Sequence, residues 1–394
     1  MEALQTPNTG RFWLIFGCTG LLLFSAVIGS FLAFFGFKEA FNLIQVISII
    51  RSNYIEEVSY NRLVDAAAKG IVGSLGDPYS VYLEPQTFNH LREQIRGSFG
   101  GLGIVVGLKD NHLTVLRPFP DTPAGRAGIK EGDVIVKIDD RPTQGLDLET
   151  AVNLMRGPVG TEVTLTIMRA GSKPRKLTLK REEISVPTVE GEMLPDSIAY
   201  VAVSQFTEKT PDELHGILDN FRGKGMQALI LDLRDNPGGE LQAAVKVADY
   251  FVPKGPVVYV DYRCDRDQVF SADGWRLSVP LVVLVNENSA SAAEIVAAAV
   301  KETKSGKVLG KQTFGKGVVQ SIFPLKNGAG LKLTTARYLT PGKHDINDKG
   351  IEPDIEVEQP MDSEEDLQLA SAREVLRREI GADRGRGNKV ASNQ

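Results

Sequence analysis

An uncharged segment near the amino terminus constrains this chain more than any other feature. From Phe12 to Phe37 there are 26 consecutive residues without a charged side chain, bounded by Arg11 and Lys38. As a helix this segment would be about 39 Å long, whereas a bilayer core needs only about 20 helical residues. A helix at the surface of a soluble protein has a polar face toward water, which this segment lacks. The sequence therefore predicts a transmembrane helix at residues 12–37, after a short flank at residues 1–11.

A cleaved signal peptide is the main alternative for the same segment. Signal peptides have apolar regions of about 7 to 15 residues, followed by small residues at the cleavage site. Ser25, Ala26, Gly29 and Ser30 could provide such a site. The length of the uncharged segment favours an uncleaved anchor. Basic residues flank both of its ends, so the positive-inside rule does not decide its orientation.

The rest of the composition excludes several function classes. The 394 residues carry 45 basic and 50 acidic side chains, and the net charge is −5. Nucleic-acid binding usually requires clustered positive charge, so we expect no nucleic-acid partner. Zinc sites draw most of their ligands from Cys and His, but this chain has 4 His and 2 Cys, Cys18 and Cys264. We therefore expect no metal, no other cofactor and no disulfide within the chain.

Residues 38–94 have the pattern of an amphipathic helical region. Leu43, Val46, Ile47 and Ile50 are spaced i, i+3, i+4, i+7, which places them on one helix face. Such a stripe is typical of a core or of a dimer seam, so a homo-oligomer is one interpretation.

Residues 95–183 have the two-residue period of short strands. Strands at 104–108 and 113–117 flank a hairpin turn, and a helix is predicted at 148–155. Together with the glycine-rich stretch Phe99–Ile104, this order resembles a bacterial, circularly permuted PDZ domain. The resemblance implies a mostly-β domain whose loop Gly101, Leu102, Gly103 and Ile104 binds the carboxylate of a peptide. Glycines allow successive backbone N–H groups to converge on such a carboxylate, while the next strand edge pairs with the peptide.

Residues 184–360 alternate apolar strands with helical patterns, which predicts an α/β (α+β) core with ligands at the carboxyl ends of its strands. Two strand ends carry polar residues. The strand Ala228–Leu233 precedes Arg234–Gly239, and the strand Leu281–Val285 precedes Asn286–Ser291. A surface helix and a polar tail are expected in residues 361–394.

Ser291 is a candidate nucleophile at one of these strand ends. It precedes the apolar helix Ala292–Val300, where the helix N–H groups favour negative charge. The alternative is structural, because Ser291 and Glu294 have the spacing of a capping box. Lys316 follows 25 residues later between two glycines, and Gln320 would share its strand face if side chains alternate.

The motif Asn288–Ile295, followed by Lys316 and Gln320, resembles the active site of the C-terminal processing (tail-specific) serine proteases. The resemblance covers about Asn53 to Val357, although Asn288 and Ala293 replace residues that are common in the family. It implies a ClpP/crotonase-like core in which Ser291 attacks, Lys316 is the general base and Gln320 orients the lysine. Lysine has an ordinary pKa of about 10.4, so an effective base at pH 7 requires burial that lowers it. Ala292 N–H with Gly238 or Gly239 N–H would form the oxyanion hole, although those glycines also fit a plain strand-to-helix turn.

The implied activity is that of a membrane-anchored serine endopeptidase. Its PDZ domain would select accessible, apolar protein C-termini, and its catalytic domains would lie outside the cytoplasm, in the periplasm or extracellular. A membrane-tethered PDZ scaffold with an inactive core is the alternative. Gly310–Lys316 has phosphate-loop spacing, but Gly317 replaces the required Ser or Thr. No G-x-S-x-G elbow or H-E-x-x-H motif occurs, so a histidine-based hydrolase and a metallopeptidase are not favoured.

Overall fold

The structure, a computed structural model, describes residues 37–263, 266–274, 277–360 and 363–391. Apart from Phe37, the predicted anchor lies outside these residues, and so do Cys18 and Cys264. Within the described ranges, no helix has both the length and the apolar character needed to cross a bilayer.

Contacts divide the chain into two units, with the boundary after Tyr82. The first unit contains helices α1 (Phe37–Asn53) and α2 (Tyr60–Gly73). Of the stripe predicted on α1, Ile47 is buried, whereas Leu43 and Val46 are exposed. The hydroxyl of Tyr82 donates to Asp65 at 2.6 Å and ties the end of the unit to α2. Strand β1 (Val81–Leu83) crosses the boundary.

The second unit begins with helix α3 (Pro85–Arg96), which leads into a pair of antiparallel strands that we call the neck. Strand β2 (Ser98–Gly101) pairs antiparallel with β9 (Glu182–Ser185), so the chain enters and leaves the strand-rich domain through adjacent strands. This domain contains a sheet in the order β3-β4-β5-β7-β8, with β6 paired to β5. Its elements are β3 (Ile104–Lys109), β4 (His112–Pro118), α4 (Pro123–Arg126), β5 (Val134–Ile138), β6 (Arg141–Pro142), α5 (Leu148–Met155), β7 (Glu162–Met168) and β8 (Arg175–Lys180).

The predicted hairpin of this domain closes through a tighter turn than the sequence suggested. Only Asp110 and Asn111 separate β3 from β4, with φ values of 51° and 60°. Asp and Asn tolerate this left-handed region, and two such residues make a turn whose twist matches that of the flanking strands.

The core of the second unit is a largely parallel sheet in the order β10-β11-β12-β15-β16-β19. Its strands are β10 (Val189–Leu194), β11 (Ile198–Val203), β12 (Ala228–Asp232), β15 (Leu281–Val285), β16 (Lys307–Gly310) and β19 (Ile355–Glu356). Helices α6 (Thr210–Gly223), α7 (Leu241–Asp249) and α8 (Ala292–Glu302) pack on one face. The strands β13 (Gly255–Tyr262), β14 (Gln268–Ala272), β17 (Val318–Pro324) and β18 (Gly330–Leu339) form antiparallel pairs beside them.

Helix α9 (Leu367–Ala391) differs from the surface helix that the sequence predicted. Ala372 and Leu376 are fully buried against Ile230 and Val282, which lie on the second face of the parallel sheet. The sheet strands are apolar on both faces because helices cover both. The polar residues predicted as a tail after Ile380 continue the helix as far as Ala391.

Candidate functional site

Two loops meet at the carboxyl edge of the parallel sheet because β12 and β15 are neighbouring parallel strands. The first loop ends in Gly238 and Gly239, and the second ends in Ser291. Ala290 N–H donates to the carbonyl of Asn236 at 2.9 Å, and the Ser289 hydroxyl donates to the carbonyl of Leu233 at 2.7 Å. These two hydrogen bonds join the loops and place the candidate nucleophile next to the glycines.

Ser291 has a backbone conformation that serine rarely adopts, with φ 55° and ψ −113°. Such conformations cost about 1–3 kcal/mol and persist only where neighbouring groups impose them. Glu294 supplies one constraint by accepting the Ser291 N–H at 2.7 Å, and Tyr338 supplies another from the opposite side. The sharp turn places the serine at the amino end of α8, as the sequence predicted.

Glu294 is the centre of the hydrogen bonding at this site. Its carboxylate is fully buried and accepts four hydrogen bonds. Oε2 accepts from the N–H groups of Ser291 at 2.7 Å and Lys316 at 2.9 Å. Oε1 accepts from the Thr313 hydroxyl at 2.6 Å and from Gly315 N–H at 2.7 Å. The same residue that completes a capping contact therefore joins the loop of the candidate base to the loop of the candidate nucleophile.

Lys316 lies just before strand β17, in a loop enclosed by backbone. A Cβ atom at Gly315 would lie 2.9 Å from the backbone nitrogen of Gly350, and Gly317 N–H donates to Asn347 Oδ1 at 3.2 Å. Only glycine fits so close to the opposing chain, which explains why glycines flank the lysine.

The predicted strand relationship between Lys316 and Gln320 is wrong. Lys316 precedes β17, so side-chain alternation along the strand does not relate it to Gln320. The pairing register also shifts between Val319 and Gln320, with Thr335 as the extra residue on β18. Gln320 is half-buried, and its amide donates at 3.4 Å to the Val318 carbonyl and to the Thr334 hydroxyl.

Tyr338, on strand β18, was not among the predicted site residues. It is 1% exposed, and its hydroxyl lies 3.2 Å from the carbonyl oxygen of Ser291 and closer still to that of Lys316. Burial, and then the negative charge of Glu294, raise the pKa of Tyr338 well above its ordinary value. The hydroxyl therefore remains a hydrogen-bond donor.

The two candidate oxyanion glycines differ in their hydrogen bonding. Gly238 N–H donates to Asn236 Oδ1 at 2.8 Å, whereas Gly239 N–H and Ala292 N–H have no acceptor among the described residues. Gly238 instead matters because there is no space for a side chain at its position. At φ 96°, a Cβ atom there would lie 2.8 Å from Ser291 Cβ and 2.9 Å from the nitrogen of Ala292.

An ion-pair network holds the end of β12, where the loop that ends in Gly238 and Gly239 (the glycine loop) begins. Arg234 donates to Asp232 Oδ2 at 2.6 Å and to Asp366 Oδ2 at 2.8 Å, which connects the end of β12 to the start of α9. Burial opposes the charge of Arg234, but the hydrogen bonds to both carboxylates raise its pKa above the ordinary value. Tyr200 also donates to Asp232 at 2.8 Å. The network was not recognised in the sequence.

The strand-rich domain has an edge strand next to the predicted carboxylate loop. β3 is at the edge of its sheet, and Ile104 on β3 and Val152 on α5 pack against the same apolar core. The carbonyls of Leu102 and Gly103 accept from Ala124 N–H and Phe119 N–H, each at 2.9 Å. In a trans peptide the N–H points opposite to the carbonyl, so the next two N–H groups point away from these partners.

The predicted carboxylate loop is shorter than the sequence suggested. Gly101 lies in the neck strand β2, paired with Glu182, and Leu102 is 3% exposed. The turn itself is formed by Leu102 and Gly103, and Ile104 begins strand β3.

The histidines make other contacts. His215 lies 3.3 Å from Asp219, and His344 lies 2.8 Å from Glu302. Within the ranges that the structure describes, no three His, Cys, Asp or Glu side chains come together as a metal site.

Three segments of the chain match models of known protein families. Residues 197–357 match the model of peptidase family S41, residues 114–169 match a PDZ domain, and residues 36–87 match the activating protease CtpB N-terminal domain.

Two relatives are similar over most of their length. The carboxy-terminal processing protease CtpA of Bacillus subtilis is 38% identical over 338 residues, which are 85% of this chain and 72% of the relative. A carboxy-terminal-processing protease of Bartonella bacilliformis is 40% identical over 82% of this chain and 76% of its own. The structure of a photosystem II D1 C-terminal processing protease aligns over 80% of this chain and 92% of that chain, with 29% identity and a TM-score of 0.48. The ClpP/crotonase-like description of the core stays a prediction.

The glycine loop gives a direct test of the site. We expect Gly238→Ala to lower peptide hydrolysis by about a hundredfold, because the new methyl would displace Ser291 and the Ala292 N–H, and losing one oxyanion donor typically costs that much. Gly225→Ala is the matched control, since Gly225 also has a positive φ, 80°, but has open space around it. Equal activity of the two folded variants would contradict this placement of the glycine loop.

Proposed function

The chain belongs to the carboxy-terminal processing proteases of peptidase family S41, serine-type peptidases, and from this premise we propose that it cuts proteins with a Ser291/Lys316 dyad after its PDZ domain binds their C-terminus. The observation that supports this most strongly is the convergence of Ser291 and Lys316 on one buried carboxylate, although 25 residues separate them in sequence. A PDZ scaffold with an inactive core is not favoured, because the serine, the lysine and the similarity to carboxy-terminal processing proteases all occur together.

The proposed reaction proceeds through an acyl-enzyme. Neutral Lys316 takes the proton of the Ser291 hydroxyl as its oxygen attacks the peptide carbonyl, and Gln320 orients the lysine. The N–H groups of Ala292 and Gly239 stabilise the negative oxygen. Lys316 then gives the proton to the leaving amine, the C–N bond breaks, and water hydrolyses the ester to release the carboxylic acid and restore the serine.

Substitution of either dyad residue tests the chemistry. We expect Ser291→Ala and Lys316→Ala each to lower kcat at least about a thousandfold, because removal of a nucleophile or base removes the covalent step. Release of a labelled peptide from an unfolded protein with an apolar tail is the measurement. Lys311→Ala is the control, since Lys311 is a partly exposed residue paired with the exposed Glu358 and should be dispensable. Substantial turnover by Lys316→Ala would refute the dyad.

Recognition of protein C-termini is proposed for the groove between β3 and α5. The edge position of β3 supports it, because an extended peptide can add to that edge while its carboxylate meets the N–H groups of Gly103 and Ile104. Ile104 on β3 and Val152 on α5 are apolar, and they favour substrates with apolar C-terminal residues.

A substrate with an amidated C-terminus tests this recognition. Because hydrogen bonds to a charged group contribute about 1.5–3 kcal/mol, we expect amidation to raise KM about tenfold or more, with kcat little changed. The measurement compares two peptides that are identical except for the terminal group. An unchanged KM would exclude carboxylate recognition by this loop.

We further propose that residues 12–37 anchor the protein in the cell membrane as a single-pass helix, with the PDZ and protease domains outside the cytoplasm. The 26-residue uncharged segment is the support. The full chain, expressed in bacterial cells, should stay in the membrane pellet after an alkaline carbonate wash and should be digested by protease added outside the inner membrane. Recovery of the protein in the soluble fraction, or its protection from digestion, would oppose the proposal.

A further inference from the structure

The backbones of the two proposed dyad residues are held by two buried side chains that have no part in the reaction above. The N–H groups of Ser291 and Lys316 both donate to one oxygen of Glu294, at 2.7 and 2.9 Å. The carbonyl oxygens of the same two residues both lie within hydrogen-bond distance of the Tyr338 hydroxyl. Each dyad residue is thus held on both sides of its Cα atom.

We propose that Glu294 and Tyr338 are positioning residues that form a backbone clamp, which sets the distance and direction between Ser291 and Lys316. This inference rests on the proposed dyad. Fixing the peptide groups on both sides of a residue fixes the direction of its Cα–Cβ bond. The clamp therefore sets the direction in which the side chains of Ser291 and Lys316 leave the backbone. A displacement of about 1 Å at a catalytic group can lower the rate about a hundredfold.

Both carboxylate oxygens of Glu294 act as acceptors in the clamp. Its four partners donate hydrogen bonds, two to each oxygen, and an ionised carboxylate accepts at both oxygens. A glutamine of the same size would direct an amide N–H₂ group at two of these donors. Substitution by glutamine therefore breaks two of the contacts without creating a cavity.

Ordinary helix capping does not account for this arrangement. A capping box consists of two bonds within the first turn, one from the Ser291 N–H to the Glu294 side chain and one from the Glu294 N–H to the Ser291 side chain. The bonds from Gly315 and Lys316 instead link the helix to another loop. Glu302, the last residue of the same helix, provides a contrast. It accepts hydrogen bonds from Thr340, Gly342 and His344, which lie in the loop after β18.

The test compares Glu294→Gln with the matched variant Glu302→Gln, using the full chain and a labelled peptide substrate. For Glu294→Gln we expect kcat to fall about a hundredfold, with KM within about twofold of the parent, because the clamp places catalytic groups and does not bind substrate. Glu302→Gln should retain the kcat of the parent. Circular dichroism and thermal melting establish that each variant is folded at the assay temperature.

A second pair of variants tests the contribution of the Tyr338 hydroxyl to the clamp. Tyr338→Phe keeps the ring and removes only the hydroxyl, so we expect kcat to fall about tenfold; Tyr250→Phe, in the same core, should not change it. Because Glu294 and Tyr338 act on the same displacement, the double variant should lose less than the product of the two single losses.

The possible outcomes separate the clamp from the dyad. If Glu294→Gln does not fold, Tyr338→Phe alone decides, and a kcat within about twofold of the parent overturns the clamp. Folded single variants that retain kcat, or losses that multiply independently, also overturn it. If Lys316→Ala remains active, the dyad itself is wrong; if Lys316→Ala is inactive while Glu294→Gln is active, only the clamp is wrong.

Discussion

A carboxylate without access to solvent must be satisfied by donors inside the protein, and the site depends on the way this protein meets that requirement at Glu294. Its four donors come from the first turn of α8 and from the loop before β17. If either segment shifted, the buried carboxylate of Glu294 would lose hydrogen-bond donors. Glu294 thus links the backbones of Ser291 and Lys316, the two residues of the proposed dyad.

The loops around Glu294 are supported by the sheet beneath them. Asn236 is fully buried, donates to the Val203 carbonyl at 2.7 Å and accepts from Gly238 N–H, so the glycine loop is tied to β11 as well as to β12. The charge network of Arg234 then joins β12 to α9. The unusual backbone of Ser291 is therefore maintained by contacts from several elements, each individually ordinary.

Local patterns made much of this organisation predictable. The helix Leu148–Met155 and the strands Val134–Ile138 and Leu281–Val285 have the bounds that periodicity indicated, because their apolar spacing and turn residues agree. Ser291 was identifiable by its place between an apolar strand and an apolar helix. Glu294 had a visible signal too, since it is the one charged residue in Ala292–Val300.

Other features depend on contacts between distant parts of the chain, and the sequence contains no local signal for them. Tyr338 meets Ser291 across 47 residues, and Arg234 meets Asp366 across 132. The bulge before Gln320 arises from pairing with β18, so no pattern within β17 indicates it. The burial of α9 was missed because a long polar helix conceals the few small and apolar residues, such as Ala372 and Leu376, that meet the sheet.

The position of Tyr338 in the chain also has a consequence for the time at which proteolytic chemistry becomes possible. A ribosome adds Ser291 first, Lys316 next and Tyr338 only 22 residues after the lysine. Until β18 has been made and has docked, the carbonyls of the two earlier residues lack their common donor. An unfinished chain therefore contains Ser291 and Lys316 before the proposed clamp can form, so the proposed dyad would take its geometry only after β18 has docked.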